Sequence, residues 1–572
     1  MKNIKKHSKL IISCLFLVAC YVLYFIHMGE YPLIDTTETK LVSIARDMLN
    51  ANNWIDLKLN GNDYFENPPM LFWLINISFL LFGKISTEAA RIPTAILLTV
   101  GVITSFLAIS KLLTKTYASI ITLIFMTSFG VILFSRLATI GITYSIFSIL
   151  ILLFSYLALL SKKGKRTLVF WILIYIFSSF AILTGGLFGL IPLLIVYVIY
   201  IFAGKQKEAF HPINILLGLI IMSIITLPWF YVMLDRNGIS FLQEFLKGYS
   251  LTSNLKINNI FYSIYLFTIG FLPWAFSFLW IIFSRLKNII NSVFSYFKDN
   301  SQEKLKEKWN KLEIEEKFLS INTIAFFTTF IFSIIFGAKF LALNIFMMFP
   351  AACIAGYYWY EYMFRKKHNR SIFIATIIPN ILFIAFSFIT LFGHNYINKL
   401  TSTGYTFLIV PLVVIFFVIP LFAIFSVVLQ GRKLAYIANL ILMFCLSFIL
   451  TPYFFNFVST SSGQTELIKF AIKADKENIK LATYTPSQKY SLVYYYDNNI
   501  LFHNNSDLEW LKNYLYSNKS SYVVIEIKDL FKIEDYGIKY ELIDSGKRYC
   551  LIKYSTKNNI PVDSEEPEIN IY

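Results

Sequence analysis

Charged side chains are scarce in this sequence: Asp, Glu, Lys and Arg make up 15% of its 572 residues, against about a quarter in soluble domains. With 57% of residues hydrophobic and a mean hydropathy of +0.61, that shortage excludes an ordinary water-soluble globule. Cysteine is also sparse. Of five cysteines, Cys14, Cys20, Cys353 and Cys445 lie inside apolar runs and Cys550 stands alone near the C-terminus. No metal-ligand spacing appears among them, which argues against a disulfide framework and a cysteine zinc site. The formal charge is +17, yet no basic stretch carries interleaved aromatics on a polar face, so nucleic acid is not an expected partner.

What the chain has in abundance is apolar runs of roughly 20 residues, each long enough to cross a hydrocarbon core of about 30 Å as a helix. The N-terminus carries Lys2, Lys5, Lys6 and Lys9 before its first run. No small-residue cleavage site follows, so the run is read as a retained helix with its basic end inside. Candidate spans fall at 10–27, 92–112, 117–135, 139–160, 167–184, 186–203, 213–233, 259–284, 318–337, 341–361, 371–393, 405–428 and 434–455. About thirteen spans put the C-terminal tail outside. The basic loops agree, because Lys162-Lys163-Gly164-Lys165-Arg166, Lys205 to Lys207, the charged 285–317 segment, Arg365-Lys366-Lys367 and Arg432-Lys433 all fall inside. Met70–Phe82 is too short for a comfortable crossing and suits a helix lying in the interface.

The expected fold is therefore an α-helical polytopic membrane domain over 1–458, with a first outer loop at about 28–91, and an outer α/β domain over 459–572. In that tail, Ile479–Tyr484, Tyr490–Tyr496, Tyr522–Ile527 and Arg548–Tyr554 read as strands, and Leu508–Tyr516 reads as a helix. The acidic end from Pro561 to Tyr572 reads as disordered.

Polar groups of several kinds converge in the first outer loop. Asp35 and Glu38 have capping-box spacing, so a plain helix start explains them without any chemistry. Leu41, Ile44, Ala45 and Met48 would form the buried stripe of that helix, leaving Glu38, Lys40 and Arg46 on the other face. A polar turn follows at Asn60-Gly61-Asn62-Asp63, then Tyr64-Phe65-Glu66-Asn67-Pro68-Pro69 leads into the short apolar helix.

Read together, Asp35, Glu38 and Lys40, the run Ile44-Ala45-Arg46-Asp47-Met48-Leu49, Asn53-Trp54-Ile55, and Tyr64-Phe65-Glu66 with Pro68-Pro69 and Trp73-Leu74 resemble the first periplasmic loop of the GT-C glycosyltransferases. The resemblance is to the branch of the lipid A aminoarabinose transferase and relatives of the protein mannosyltransferases. It is dense over 28–91. Weaker matches occur at Ser135-Arg136-Leu137-Ala138-Thr139, at Thr184-Gly185-Gly186-Leu187-Phe188-Gly189-Leu190, and at Gly337-Ala338-Lys339 before Pro350.

The resemblance implies a bacterial inner-membrane enzyme that moves a sugar from undecaprenyl phosphate, or a similar polyprenyl-phosphate carrier, to lipid A, a glycan or a protein on the periplasmic face. Asp35 and Glu38 would be the acidic centre, acting as base or holding a divalent ion. Lys40, Arg46, Tyr64, Glu66, Asn67, Arg91, Arg136 and Lys339 would bind the carrier phosphate or the acceptor. The bland alternatives are a span-end positioning charge for Arg91, a snorkelling side chain for Arg136 and a helix cap for Glu66. This chain departs from the family at Thr36-Thr37, where aminoarabinose transferases carry Pro-Asp. It also has Asn67 in place of a Lys, Gly141 in place of an acid, and Gly185 or Gly186 in place of a Lys.

Two rival readings have distinct signatures. A transporter would show paired half-repeats with broken spans and mid-membrane charges, and few such charges are present. A catalytically inactive GT-C relative that binds lipid or assists assembly would fit the lost charges. For the topology itself, cysteines introduced at Asn62 and Asn518 should react with an impermeant thiol reagent in intact spheroplasts, and one at Asn310 should not. Labelling at the Asn310 position alone would reverse the orientation.

Overall fold

The computed structural model describes residues 2–160, 165–247, 249, 257–283, 307, 309–336, 341–367, 369–401 and 406–555. The Gly337-Ala338-Lys339 motif, most of the basic 162–166 and 285–317 loops, and the acidic Pro561–Tyr572 end lie outside the described residues. The chain divides into two compact units. One contains Met1–Tyr31, Met48–Leu57 and Tyr64–Phe454, and the other Pro32–Asp47, Lys58–Asp63 and Phe455–Tyr572. Two stretches of the first loop thus group with the tail and the rest with the helical unit.

The helical unit follows from the apolar runs. Among the described residues, eight helices are long and apolar enough to cross a membrane, or up to ten if each of two bent pairs counts as one span. The chain is an integral membrane protein on this evidence. The count differs from the thirteen apolar runs for identifiable reasons. Arg166–Phe202 passes as one 37-residue span although the sequence reads as two, and Lys9–Phe25 and Asn259–Gly270 are shorter apolar helices. Ile140–Leu160 and Ala342–Arg365, each 94% buried, form the centre, whereas Pro212–Lys247 at 17% lies at the periphery.

Breaks in the helices have local causes. Lys115–Met126 and Phe129–Ser135 meet at a 63° bend. There the Thr127 and Ser128 hydroxyls bond back to the carbonyls of Leu123 and Ile124, which bends helices. The amide of Phe129, released from the ladder, donates to the Leu272 carbonyl at 3.1 Å. Inside the bundle, several hydroxyls and amides pair with one another, as an interior without water favours. Tyr156 donates to Asn322 at 2.9 Å, and Ser333 links Ser263 to Asn344.

The second unit is built on a five-stranded mixed sheet. Its elements are numbered after the short hairpin β1 (Lys58–Leu59) and β2 (Asn62–Asp63), and comprise β3 (Leu481–Tyr484), β4 (Leu501–His503), β5 (Tyr522–Glu526), β6 (Tyr540–Ser545) and β7 (Tyr549–Tyr554). Their order is β4-β3-β5-β7-β6, with β3 parallel to β4 and β5, and β7 antiparallel to β5 and β6. β3 and β5 are buried along their whole length, as strands covered on both faces should be. Tyr522 and Val524 pack with Leu467, Phe470 and Leu492 on one face. Val523 and Ile525 pack with Leu511, Leu515 and Ile533 on the other.

One tail element corrects the sequence reading. Tyr490–Tyr495 is a helix, not a strand, and it lies in the connection between the parallel neighbours β3 and β4, which cannot be joined by a tight turn. In the hairpin, Asn60 at φ 52° and Gly61 at φ 80° form the two-residue turn that Asn-Gly favours, because both positions need the left-handed region. The Asn60 side chain then exchanges two hydrogen bonds with the Ile500 backbone, at 2.7 and 2.8 Å.

The helical unit rests on close approaches that tolerate no added bulk. A Cβ on Gly356 would lie 2.5 Å from the Ile121 side chain and 3.0 Å from its Cα. Gly356→Val should therefore lower stability in detergent by about 1–3 kcal/mol, the usual cost of overpacking. Thermal unfolding followed by tryptophan fluorescence checks this. An unchanged midpoint would show that the two helices part without cost.

Candidate functional site

The expected acidic centre falls in the tail-containing unit. The helix there runs Glu38–Asn50, and the turn before it holds Thr36 at φ 64°, an unusual region for a β-branched residue. This turn moves Asp35 out of the N-cap position, which corrects the capping-box reading. The Glu38 carboxylate does reach back to the backbone, but it accepts from the amide of Ile34 at 3.0 Å. Asp35 Oδ1 accepts from the Thr39 hydroxyl at 3.2 Å and from the Ser491 amide at 2.9 Å. Gln464 takes the Asp35 amide at 3.2 Å and donates to the Leu33 carbonyl. Asp35 is thus held from both sides, half-buried, while Glu38 is fully buried.

The basic residues of this helix differ from the expected open face. Arg46 is only 8% exposed and donates to the carbonyls of Val493 and Tyr494 at 3.1 and 2.7 Å. It also pairs with Asp47 at 3.0 Å. Its cation therefore sits at the C-terminal end of helix Tyr490–Tyr495, where backbone carbonyls attract positive charge. Burial pushes the Asp47 carboxyl above the usual carboxylate range, and neighbouring Arg46 opposes that rise. Lys40 lies 5.6 Å from the centre of the Tyr490 ring, a cation–π distance.

Residues of the tail unit that the sequence did not single out surround Asp35. Ser491 presents its amide to Asp35, while its hydroxyl and that of Tyr549 are buried without a hydrogen-bond partner among the described residues. Burial pushes the Tyr549 hydroxyl up to about 12. Arg548 opposes this shift, and Glu526, Asp35 and Glu466 add to it. Nothing in the tail sequence signals these roles, since their partner lies more than four hundred residues earlier. Among the described residues, no three His, Cys, Asp or Glu side chains converge to hold a metal ion. Asp35 and Glu38 would be the carboxylates available to one, with both already accepting backbone amides.

The other expected residues fall in the helical unit. Tyr64 Oη lies 3.4 Å from Glu66 Oε2 and accepts from the Asn67 amide at 2.5 Å. Arg91 is fully buried. It donates to the carbonyls of Met28 and Tyr31 at 2.7 and 3.0 Å and stacks 4.0 Å over the Tyr31 ring. Tyr31 Oη in turn donates to the Arg136 carbonyl at 2.9 Å. Arg136 is fully buried too, so it does not snorkel. Its guanidinium donates to Leu23 O at 2.8 Å and Ser447 Oγ at 3.0 Å. Lys339 lies outside the described residues.

Two departures from the family pattern have local explanations. A Cβ at Gly141 would lie 3.0 Å from Ile345 Cδ1, leaving little room for an acidic side chain. At Gly186, with φ 58°, a Cβ would collide with the Tyr249 hydroxyl.

Comparison with known proteins bears on this arrangement. The model of the dolichyl-phosphate-mannose-protein mannosyltransferase family matches residues 66–231. An uncharacterised protein of Aquifex aeolicus is 27% identical over 48% of this chain and 54% of its own. The undecaprenyl phosphate-α-4-amino-4-deoxy-L-arabinose arabinosyl transferase of Pseudomonas savastanoi pv. phaseolicola is 31% identical over 22% of this chain and 23% of its own. The chain thus spans about half or less of the length of these curated relatives. Among solved structures, ArnT from Cupriavidus metallidurans bound to undecaprenyl phosphate superposes with a TM-score of 0.70 at 16% identity, covering 96% of this chain and 99% of that one. The chain shares the fold of that structure over almost its whole length. Its sequence similarities lie on the aminoarabinose-transferase branch, as the first-loop resemblance implied.

The Arg46 contacts yield a direct test of what this residue does. Arg46→Met should destabilise the protein by about 1.5–3 kcal/mol, the range for hydrogen bonds to charged groups. Amide exchange should speed up across 490–496 in particular. Arg46→Lys should recover little, because one ammonium cannot reproduce a planar fork on two carbonyls. Unchanged exchange in that segment would release Arg46 from a tethering role.

Proposed function

We infer that this protein is a glycosyltransferase of the bacterial inner membrane. It takes a sugar from a polyprenyl-phosphate carrier and transfers it to lipid A, a glycan or a protein on the periplasmic face. The observation that carries this reading is Asp35, a first-loop carboxylate oriented by the Ser491 amide and the Thr39 hydroxyl, in a chain that shares the fold of the Cupriavidus metallidurans ArnT structure over almost its whole length.

In this reading Asp35 accepts the proton of the acceptor hydroxyl or phosphate as its oxygen bonds to the sugar's anomeric carbon. The bond from that carbon to the carrier phosphate breaks, and the phosphate leaves with an added negative charge. Lys40, on the same first-loop helix, supplies a cation to that charge. Lys339 is proposed to do the same from a later outer turn. Arg46, Arg91 and Arg136 are given positioning roles, since each already donates to backbone carbonyls. Asn67 keeps a donor but no charge, and a neutral hydrogen bond is roughly half as strong as a charge-assisted one. That loss, with glycine at position 141, favours a second reading in which the chain binds the carrier without turning it over.

Turnover by the parent separates the two readings, and Asp35→Asn tests the role of Asp35. The amide oxygen can still accept from Ser491 and Thr39, so thermal stability should stay close to the parent's. Turnover should fall by about a hundredfold or more, the scale of a lost general base. Lys40→Ala should weaken carrier binding by about 1.5–3 kcal/mol. Mass spectrometry of lipid A and surface glycans from a strain lacking this gene identifies the acceptor. If Asp35→Asn turns over like the parent, Asp35 is a structural residue.

A further inference from the structure

The helical unit carries a second polar feature, built from basic residues that the sequence used only to set orientation. A pocket of about 410 Å³ is lined by Met363, Lys366, Gln430, Arg432, Lys433 and Leu434. It forms where helix Ala342–Arg365 ends and helix Arg432–Ser461 begins. Both turns that wall it are pinned by non-glycine residues in the left-handed region, Lys366 at φ 57° and Gln430 at φ 60°. Such backbone costs free energy and persists where the surroundings fix it.

The charges of this pocket are one-sided. Neighbouring Arg365 and Lys367 pair with the buried Glu361, at 3.0 and 3.7 Å, and Arg365 also pairs with Glu315. Lys366, Arg432 and Lys433 have no carboxylate partner among the described residues. Arg432 donates to the Tyr362 carbonyl at 3.4 Å and lies 5.3 Å from that ring. Lys433 lies 5.0 Å from the Phe364 ring. These rings pack against the basic side chains but leave their positive charge unneutralised.

Apolar side chains stand beside the cations. Leu434, Leu429 and Phe364 are 51%, 69% and 45% exposed. Cations over a pocket with exposed aliphatic and aromatic groups alongside match a phosphate bearing acyl chains. Three cations lining one pocket without a carboxylate among the described residues can do more than orient the helices, because a concave basic pocket between spans concentrates anions.

We propose that this pocket binds the phosphate of an anionic ligand, with a glycerophospholipid headgroup as the occupant that its apolar rim favours. Lys366, Arg432 and Lys433 contact the phosphate, and Leu434 lies against the acyl chains. On the sequence-based orientation the pocket faces the cytoplasmic leaflet.

The test uses the full purified chain in nanodiscs of phosphatidylcholine doped with phosphatidylglycerol, with bound lipid counted by native mass spectrometry. The parent should retain phosphatidylglycerol in preference to phosphatidylcholine. Arg432→Gln combined with Lys433→Gln should reduce that retention about tenfold or more. Leu434→Trp keeps every charge and narrows the pocket, so it should also lower retention while leaving insertion intact. Inorganic phosphate distinguishes the sources. If it displaces the lipid and alone raises thermal stability in the parent but not the double variant, the site takes free phosphate. If it does neither, the lipid headgroup is the ligand. Equal retention of both lipids by the parent, or retention unchanged in both variants with no effect of phosphate, would overturn the proposal.

Discussion

A guanidinium buried in an apolar bundle has to find oxygen acceptors, because leaving it unpaired there costs several kcal/mol. Arg136 meets part of that demand with the Leu23 carbonyl and the Ser447 hydroxyl, while its Nη1 has no hydrogen-bond partner among the described residues. Arg91 meets it with the carbonyls of Met28 and Tyr31. Those carbonyls belong to the end of the first helix and the start of the first loop, where the chain leaves regular helix. The two arginines therefore fix the place at which the loop begins, and Tyr31 joins them by stacking on one and bonding to the backbone of the other. Every first-loop residue with a proposed role follows from that point in the chain.

The same chemistry recurs in the tail-containing unit. Arg46 satisfies two carbonyls at the end of a six-residue helix, and Asp35 satisfies an amide at the start of that helix. A short helix has too few internal bonds to stand alone. Its ends are completed by a carboxylate and a guanidinium from a segment more than four hundred residues earlier. Stability and the orientation of Asp35 are thus parts of one network, and a variant at this centre has to be judged on folding and turnover together.

Much of the helical unit was legible because hydrophobic run length alone identifies a span. What was not legible is where runs bend or continue. The bend at Thr127 and Ser128 depends on hydroxyls turning back on the helix, and Arg166–Phe202 passes through three glycines without losing its span character. In the tail, the strands at Leu481–Tyr484 and Tyr522–Glu526 coincide with β-branched and aromatic runs. Tyr490–Tyr495 has similar composition yet is helical, because strand propensity is a weak guide where tertiary contacts decide. The three-residue β4 is too short to signal itself, and β6 carries Glu541, Asp544 and an irregular register. Of the candidate site, Asp35, Glu38 and Lys40 were visible through their spacing. The partners of Arg46, Arg91 and Arg136 were not, since most are main-chain carbonyls, which leave no mark in a sequence. Ser491 and Tyr549 were missed for the related reason that proximity to Asp35 arises only on folding.

The central claim concerns a transfer, so the most direct measurement follows the sugar. The purified chain in nanodiscs would be given an undecaprenyl-phosphate-linked sugar together with lipid A, and the products separated by mass spectrometry over time. The account predicts that free undecaprenyl phosphate and sugar-modified acceptor appear in equal amounts, and only when both substrates are present. Carrier that binds but keeps its sugar with lipid A, with a glycan and with a protein acceptor alike would contradict it.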